Sequence, residues 1–206
     1  MDPQSFDQRA PAWDDDPRRR KLAADVFSAV RLRAAPAPTD SVLDFGCGTG
    51  ALALPLAPLV HRVLAADFSR GMLDVLENKA RALGIGNVET LQANLAAEPA
   101  AAPGPFDLVV SAMAIHHVVD VDALLRAFFS RLAPSGRLAV VDLDAEDGSF
   151  HGPSSNVPHL GFRRDALAHA VERAGFRRVQ FHDAAQIEKN GRPYSAFLAF
   201  ALKPPR

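Results

Sequence analysis

The chain has 206 residues, of which 48% are hydrophobic, and this is long enough for one α/β domain with a sizeable core. A formal net charge of -1 argues against a general attraction to nucleic acid or membrane surfaces, and the single cysteine, Cys47, excludes an intrachain disulfide. No apolar run reaches membrane-spanning length, and the N-terminus, rich in Asp, Arg and Pro, does not have a signal-peptide pattern, so we expect a cytoplasmic protein.

The first predicted helix runs from Pro17 to about Ala34. Its apolar residues recur at helical spacing, and a proline suits the first turn. The basic run Arg18–Lys21 at its start is expected to be a solvated face, because no aromatic platform for nucleic-acid bases accompanies it. The preceding residues 6–16, which include Trp13, are expected to form part of a lid, with a frayed terminus as the alternative.

An apolar strand, Ser41–Phe45, is predicted to run into a glycine-rich turn, Gly46-Cys47-Gly48-Thr49-Gly50, followed by a helix-forming segment, Ala51–Leu59. Glycine permits a sharp turn and close approach of the backbone to a ligand. The start of the helix presents unpaired N–H groups to the turn. The next predicted strand, Arg62–Asp67, ends in an acid at the position where nucleotide-binding folds hold ribose. Together these features predict a site for an adenosine-containing cofactor.

Two cofactors compete for this turn. The pattern Gly46-x-Gly48-x-x-Ala51 satisfies the dinucleotide fingerprint, so an NAD-type oxidoreductase is one alternative. Asp44, however, places a carboxylate two residues before the first glycine, where it would repel a pyrophosphate. S-adenosylmethionine carries a sulfonium and an ammonium against one carboxylate, so a nearby acid suits it. The local alternative is that Asp44 only caps backbone N–H groups.

The rest of the chain alternates strands and helices, which predicts a parallel sheet with helices on both faces. The Ala/Pro-rich run 96–105 is interpreted as a surface connection. The predicted elements are a helix capped by Ser69 and running to about Leu83, a strand Asn87–Gln92, a strand Phe106–Ala112, a helix starting at Asp120 or Asp122, a strand Gly136–Leu143, a helix Arg163–Ala174, and strands Phe176–Ile187 and Tyr194–Leu202 joined by a turn at 190–193.

Four segments together resemble the class I S-adenosylmethionine-dependent methyltransferases, and the resemblance covers roughly Phe6 to Lys203. These segments resemble, in chain order, the family's motif I, the acidic end of its second strand with a Ser-x-x-Met continuation, its fourth strand, and its turn into the fifth. They are Asp44–Gly50, Asp67–Met72, Phe106–Ser111 and Leu132–Leu138.

The resemblance implies one Rossmann-like α/β domain over residues 1–206, with a seven-stranded, mostly parallel sheet and a C-terminal antiparallel hairpin. Residues 1–35 are expected to form an N-terminal helical cap. The loop at 144–162 is long and rich in turn formers, so it is expected to be a substrate lid, with a surface Ω-loop as the alternative. The implied function is methyl transfer from S-adenosyl-L-methionine by in-line displacement. The size of the chain favours a small-molecule acceptor, with a protein or nucleic-acid acceptor as the alternative. The near-zero net charge predicts neither nucleic acid nor membrane as a binding partner. A non-catalytic S-adenosylmethionine-binding module is a further alternative.

The cofactor-binding residues implied by the resemblance lie at the carboxyl ends of the strands. Asp67 would accept hydrogen bonds from the ribose, and Phe68 and Met72 would pack near the adenine or belong to the core. Asn94 replaces the acid that usually faces the adenine amine; its amide oxygen can accept the same bond, or it caps a loop. The full set is Asp44, Gly46, Cys47, Gly48, Gly50, Asp67, Phe68, Met72, Asn94, Leu95 and Ser111.

Candidate catalytic residues follow the fourth and fifth predicted strands. Histidine titrates near neutrality and is the preferred base, although each histidine could also be a packed or solvated residue. The candidates are His116, His117, Asp142, His151 and His159. Asp142-x-Asp144-x-Glu146 superficially resembles the start of a calcium loop, but the twelfth position lacks a glutamate, so no metal is expected.

Overall fold

The computed structural model describes residues 3–98, 101–152 and 157–205, over which helices and strands alternate after an N-terminal helical segment. The helices are α1 (Pro3–Arg9), α2 (Pro17–Ala34), α3 (Ala53–Leu56), α4 (Arg70–Ala82), α5 (Val121–Arg131) and α6 (Arg164–Arg173), with short 3-10 helices at Ala10–Asp15, Ala57–Leu59 and Ile115–His117. The strands are β1 (Ser41–Phe45), β2 (Arg62–Asp67), β3 (Val88–Gln92), β4 (Phe106–Ala112), β5 (Leu132–Leu143), β6 (Arg177–Lys189) and β7 (Arg192–Leu202). No helix within these ranges has the length and apolar content to cross a bilayer.

The seven strands form one sheet in the order β3-β2-β1-β4-β5-β7-β6. The first five strands of this order are parallel, and β7 runs antiparallel to both β5 and β6. Strand order reverses between β1 and β4, and in such sheets the crevice outside the carboxyl ends at that point binds ligands. The predicted fold class is confirmed. The candidate ligand site therefore lies at the carboxyl ends of β1, β2, β4 and β5.

The core lies on both faces of the sheet because successive residues of a strand point to opposite sides. In β1, Val42 packs with Val26 and Val30 of α2 on one face, while Leu43 packs with Phe128 of α5 on the other. All five have at most 2% of their surface exposed. Strands covered on both faces appear in the sequence as continuous apolar runs, which explains why β1, β2 and β4 have the predicted bounds.

Several element boundaries differ from the sequence predictions. The helix expected over Ala51–Leu59 shortens to α3 and a 3-10 turn, because Pro55 and Pro58 lack the N–H groups that a continuous helix requires. The terminal hairpin turns at Asn190 and Gly191 alone, both with positive φ, as a two-residue turn of the type that matches strand twist requires. Arg192 and Pro193, which were expected in the turn, therefore belong to β7. Strand β5 also starts at Leu132 rather than Gly136.

Candidate active site

The glycine turn after β1 has three positive backbone angles, with φ of 67° at Gly46, 53° at Gly48 and 89° at Gly50. A Cβ at Gly46 would lie 2.5 Å from the Cβ of Ala114, and one at Gly50 would lie 3.0 Å from Leu54. A Cβ at Gly48 would have no atom within 4 Å. The outer glycines thus permit close packing, whereas the backbone at Gly48 faces open space and is accessible to a ligand.

Asp67 links this turn to the start of α4. Its Oδ2 accepts a hydrogen bond from the Gly48 N–H at 2.9 Å, and its Oδ1 accepts one from the Ser69 N–H at 2.9 Å. Burial raises the pKa of the Asp67 carboxyl, although these backbone donors oppose the shift. A carboxylate offers about four acceptor positions, so Asp67 retains capacity for further donors.

Asp44 is the second acid beside the turn and is only 2% exposed. The Ala53 N–H donates to its carboxyl group, so the capping role considered as an alternative is present. Its Oδ2, however, is buried without a hydrogen-bond partner among the residues that the structure describes. Burial, together with the charge of Asp67, raises the pKa of Asp44 to about 7. The two acids give the turn an electrostatic environment that favours a cation.

Three more of the predicted cofactor residues lie at the ends of β1, β2 and β4. Cys47 is buried, and this burial raises the pKa of its thiol, which therefore stays protonated. Phe68 is half-buried, with its ring centroid 5.5 Å from that of Phe6. Ser111, at the end of β4, is fully buried, and its hydroxyl has no partner within the described part of the chain.

The last three predicted cofactor residues make contacts within the core or within a loop. They are Met72, Asn94 and Leu95. Met72 is 1% exposed on α4, with its N–H bonded to the Ser69 hydroxyl, and Leu95 belongs to the core on the α5 side of the sheet. Asn94 is exposed, and its Oδ1 accepts a bond from the Ala97 N–H at 3.4 Å. For Met72 and Asn94 these contacts match the packing and loop-capping alternatives.

The N-terminal segment is ordered against α4 and the glycine turn. Asp7 Oδ1 accepts hydrogen bonds from the Ser69 hydroxyl at 2.5 Å and the Gly71 N–H at 2.9 Å. A Cβ at Gly71 would lie 2.9 Å from the Asp7 backbone, so a glycine is needed for this approach. The frayed terminus considered as an alternative is not what the structure shows for these residues.

Asp14 makes a second attachment of the same segment. Its Oδ1 accepts from the Thr49 hydroxyl at 2.9 Å, and its Oδ2 pairs with Lys79 Nζ at 2.9 Å. Lys79 also donates to the Thr49 carbonyl at 2.7 Å. Sequence reasoning missed the roles of Asp7 and Asp14, because their partners are between 35 and 65 residues away in the chain and no local pattern connects them.

Three of the predicted histidines come together next to this segment. The ring of His116 lies 3.9 Å from that of His117 and 4.9 Å from that of His151, centroid to centroid. Phe6 of α1 packs edge-on against His117 at 5.9 Å. One nitrogen of each ring is buried without a partner among the described residues: His116 Nε2, His117 Nδ1 and His151 Nε2. We call these three residues the histidine cluster.

His116 is held by Asp142. His116 Nδ1 lies 2.6 Å from Asp142 Oδ1, and both side chains are at most 2% exposed. Asp142 also accepts the N–H groups of His116 and Leu143, at 3.2 and 2.7 Å. Its carboxylate therefore favours the tautomer in which Nδ1 carries the proton, which leaves Nε2 with a lone pair. Asp142 lies within β5, not in the loop after it, so the sheet fixes its position.

The other two imidazoles are neutral at physiological pH. Burial, reinforced by His116 and His151, lowers the pKa of His117 to about 2. Burial, together with the neighbouring His116 and Lys189, lowers the pKa of His151 to about 4. A neutral imidazole has one donor and one acceptor nitrogen, so His117 and His151 can orient a polar ligand without adding charge of their own.

His159 is not part of the cluster. Its Nε2 lies 2.9 Å from the Val118 carbonyl, and its backbone N–H donates to the His116 carbonyl at 3.2 Å. These contacts attach the loop before α6 to the turn after β4. The structure thus gives His159 a role in positioning the loop rather than a place beside the free nitrogens.

The acids after β5 make structural contacts. Arg164 binds Asp144 with two hydrogen bonds of 2.7 and 2.8 Å. Asp147 pairs with Arg192 at 2.9 Å, and Glu146 accepts the Phe150 N–H at 3.0 Å. Within residues 3–98, 101–152 and 157–205, no group of three or more His, Cys, Asp or Glu side chains could hold a metal ion. Pro153, which stands at the twelfth position of the superficial calcium pattern, lies outside the described residues.

Comparisons with known proteins assign the family. Residues 42–136 match the family model described as a methyltransferase domain. The ubiquinone/menaquinone biosynthesis C-methyltransferase UbiE of Klebsiella pneumoniae is 39% identical over 173 residues, which cover 69% of this chain and 68% of that protein. The chain belongs to the class I S-adenosylmethionine-dependent methyltransferases.

Further similarities place this methyltransferase among its relatives. An uncharacterized methyltransferase of Schizosaccharomyces pombe is 34% identical over 118 residues, covering 54% of this chain and 42% of that protein. The chain therefore spans less than half the length of this relative. A SAM dependent methyltransferase from Aquifex aeolicus, 22% identical and covered over 98% of both chains, superposes with a TM-score of 0.67 and shows the shared fold. S-adenosylmethionine is the family's cofactor, and no finding favours the NAD alternative.

Proposed function

We propose that this methyltransferase transfers a methyl group to a small-molecule acceptor, with His116 as the base that removes a proton from it. The observation that carries the proposal is the fixed geometry of His116, whose Nδ1 is bonded to Asp142 at 2.6 Å and whose Nε2 is buried without a partner among the described residues. S-adenosylmethionine supplies a methyl group already activated by a positively charged sulfur. The protein contributes position, exclusion of water and proton removal.

Asp67 and Asp44 are proposed to hold the cofactor. The free acceptor positions of Asp67 suit the two hydroxyls of a ribose, which can donate side by side to one carboxylate. Asp44, with its unpartnered Oδ2 and a pKa of about 7, would become fully ionised beside a cation. The open backbone at Gly48 admits the amino-acid part of the ligand between them.

The three histidines of the cluster are proposed to have different roles, because only His116 is bonded to an acid. Asp142 orients the His116 ring and stabilises the imidazolium that forms when Nε2 takes a proton, by the same physical logic as an acid behind a catalytic histidine. His117 and His151 stay neutral and would hold the acceptor by hydrogen bonds through their free nitrogens. A positioned base of this kind contributes about 10²–10⁴-fold to the rate.

Residues 1–35 and 144–162 are proposed to act as cap and lid. The contacts of Asp7 and Asp14 place the N-terminal segment beside the glycine turn, and the His159 contact holds the second segment near the histidine cluster. An enclosed site excludes water, and it suits an acceptor of small size. The quinone-pathway name of the Klebsiella relative is consistent with such an acceptor.

The proposal is tested with radiolabelled S-adenosylmethionine and a broad panel of small acceptors. We expect label transfer by the wild type and its loss in His116→Gln, with binding of S-adenosylhomocysteine unchanged in both. The exposed His169 on α6 supplies the matched control, because His169→Gln changes the same residue type outside the cluster. Tight cofactor binding with no acceptor methylated across the panel would favour the non-catalytic alternative instead.

A further inference from the structure

Cations lie against aromatic rings on both sides of the histidine cluster. The Arg9 guanidinium lies 4.9 Å from the ring centres of both Phe6 and Trp13. The Arg19 guanidinium lies 3.9 Å from the ring centre of Trp13 as well. On the other side, Lys189 Nζ lies 4.4 Å from the Phe150 ring. The sequence interpretation of the basic run as a solvated face is therefore wrong for Arg19, whose aromatic partner is six residues upstream.

These aromatic rings also contact the histidines. Phe6 packs on His117 at 5.9 Å, and Phe150 packs on His151 at 4.9 Å. The cations on Phe6 and Phe150 are therefore one ring removed from the free nitrogens of the cluster. We call Arg9, Arg19 and Lys189 the cation triad.

The triad has no carboxylate partner within the described part of the chain. Arg19 donates to the Trp13 carbonyl at 3.1 Å, and Lys189 donates to the Phe150 carbonyl. Neighbouring cations are paired elsewhere: Arg18 with Asp16, and Lys21 with Asp25. Glu146 also acts on Lys189, since its charge opposes the lowering of the Lys189 pKa. Glu146 Oε2 accepts the Phe150 N–H, and Oε1 is buried without a partner among the described residues.

The three charges lie close enough to repel each other. Burial, followed by the charge of Arg19, lowers the pKa of Arg9. Burial is the main cause that lowers the pKa of Lys189, and the charges of Arg18, Arg19 and Arg9 lower it further. The charge of Glu146 opposes this shift. Within the described part of the chain no ion pair neutralises these cations, so an anion that bound beside them would relieve their repulsion.

We propose that the methyl acceptor is a flat molecule that carries an oxyanion group, a carboxylate or a phosphate, bound by Arg9, Arg19 and Lys189. This inference depends on the methyl transfer proposed above and names its substrate class. The half-buried rings of Phe6 and Trp13 offer apolar surface to the flat body, and the histidine cluster receives its reactive group. Charge-assisted hydrogen bonds from guanidinium and ammonium groups then hold the oxyanion.

Three probes of similar shape test the charge requirement: benzoate, phenyl phosphate and benzamide. Each is titrated by calorimetry at low ionic strength into protein saturated with S-adenosylhomocysteine. We expect at least one of the two acids to bind about tenfold more tightly than the neutral amide, and the better acid identifies carboxylate or phosphate as the preferred group. Added salt should reduce this preference, because exposed charges are screened.

The variant Arg9→Gln/Lys189→Gln should abolish the preference for the acid while still binding S-adenosylhomocysteine. Arg126→Gln is the matched control, since Arg126 is exposed on α5, on the opposite face of the sheet from α2. If the double variant does not fold, Lys189→Gln alone should reduce the preference, because Lys189 is the only member of the triad on the Phe150 side.

Equal binding of acid and amide, no binding of either acid, or the same loss in Arg126→Gln would each overturn the inference while leaving methyl transfer standing. A protein that does not bind S-adenosylhomocysteine would instead contradict the proposed function. In that case the same titrations with the unloaded protein still decide whether the triad recognises an oxyanion.

Discussion

The cofactor side and the acceptor side of the candidate site carry opposite charge. Beside the glycine turn, two buried acids, Asp44 and Asp67, have raised pKa values. Beside the histidine cluster, Arg9 and Lys189 have lowered pKa values. Each side thus places like charges near one another, although the acceptor side also contains the carboxylates of Asp142 and Glu146. The arrangement fits a cationic cofactor on one side and an anionic acceptor on the other, so each ligand relieves a repulsion.

The two sides also differ in how the chain builds them. Gly48 and Asp67, which contact each other at 2.9 Å, are 19 residues apart and belong to one strand–helix–strand unit. The acceptor side joins residues from α1, the turn after β4, strand β5 and the loop after it. The cofactor side therefore depends on local geometry, whereas the acceptor side depends on the packing of distant segments.

The largest expected effect concerns His116. His116→Gln should lower kcat by about 10²–10⁴-fold, because the proton acceptor held by Asp142 is lost. Asp142→Asn should have an effect in the same direction by favouring the other tautomer. Steady-state kinetics with a labelled methyl donor measure both, and calorimetry with S-adenosylhomocysteine should show unchanged affinity. A variant with normal kcat would show that the acceptor loses no proton to this residue.

Within the acceptor side, His159 should contribute less to turnover than His116. Its Nε2 is engaged by the Val118 carbonyl, so His159→Ala should affect turnover less than His116→Gln does, through loosening of the loop. Kinetic measurements on the two variants in parallel give the ratio. An equal loss would mean that His159 contacts the acceptor directly.

The next effect concerns the stability cost of Asp44. The Asp44 carboxyl has a pKa of about 7 in the folded protein. An unperturbed Asp has a pKa of about 4, so between these pH values the folded state binds more protons than the unfolded state. The free energy of unfolding therefore falls as pH rises from about 4 to about 7, by up to roughly 4 kcal/mol. Asp44→Asn removes this titration.

Thermal unfolding over a range of pH measures the difference between wild type and Asp44→Asn. We expect the variant to gain stability relative to the wild type as pH rises, with the gain complete above about pH 8. The same variant should lose more affinity for S-adenosylmethionine, which has a positive sulfur, than for S-adenosylhomocysteine, which does not. A stability difference that is independent of pH would contradict the raised pKa of Asp44.

Sequence reasoning went further on the cofactor side than on the acceptor side. β1 and β2 could be predicted to the residue because apolar runs end at a glycine turn and an acid, and the Ser69 cap could be predicted from residue type. The sheet topology then brings Asp67 to the turn. The bond between His116 and Asp142 could not be predicted, because it requires the register of β4 against β5.

The N-terminal segment was predicted only as a possible lid. Its attachment through Asp14 depends on Thr49 and Lys79, which no sequence spacing connects to it. The stacking of Arg19 on Trp13 was missed for a related reason, since the 3-10 turn between them brings the two residues together. Both contacts join residues of different elements, and the sequence pattern of a single element does not reveal such contacts.

A smaller effect is expected from Asp67→Ala, which should weaken cofactor affinity by about 1–3 kcal/mol through loss of charged hydrogen bonds. The variant also removes the acceptors for the Gly48 and Ser69 N–H groups, so its fold should be checked by circular dichroism. Asp74→Ala, at an exposed acid on the following helix α4, serves as the control. Unchanged calorimetric affinity in Asp67→Ala would mean that the ribose lies elsewhere.

The smallest effect concerns the attachment of the N-terminal segment to the cofactor side. Asp14→Ala removes the bonds to Thr49 and Lys79, and since the Asp14–Lys79 pair is partly exposed it should cost about 1 kcal/mol or less of stability. Because the segment carries Phe6, Arg9 and Trp13, its release should raise the KM for the acceptor more than the Kd for S-adenosylhomocysteine. Asp15→Ala, the exposed neighbour, is the matched control. Equal changes in both constants would show that the segment serves the cofactor alone, and the acceptor side would then have to be built without it.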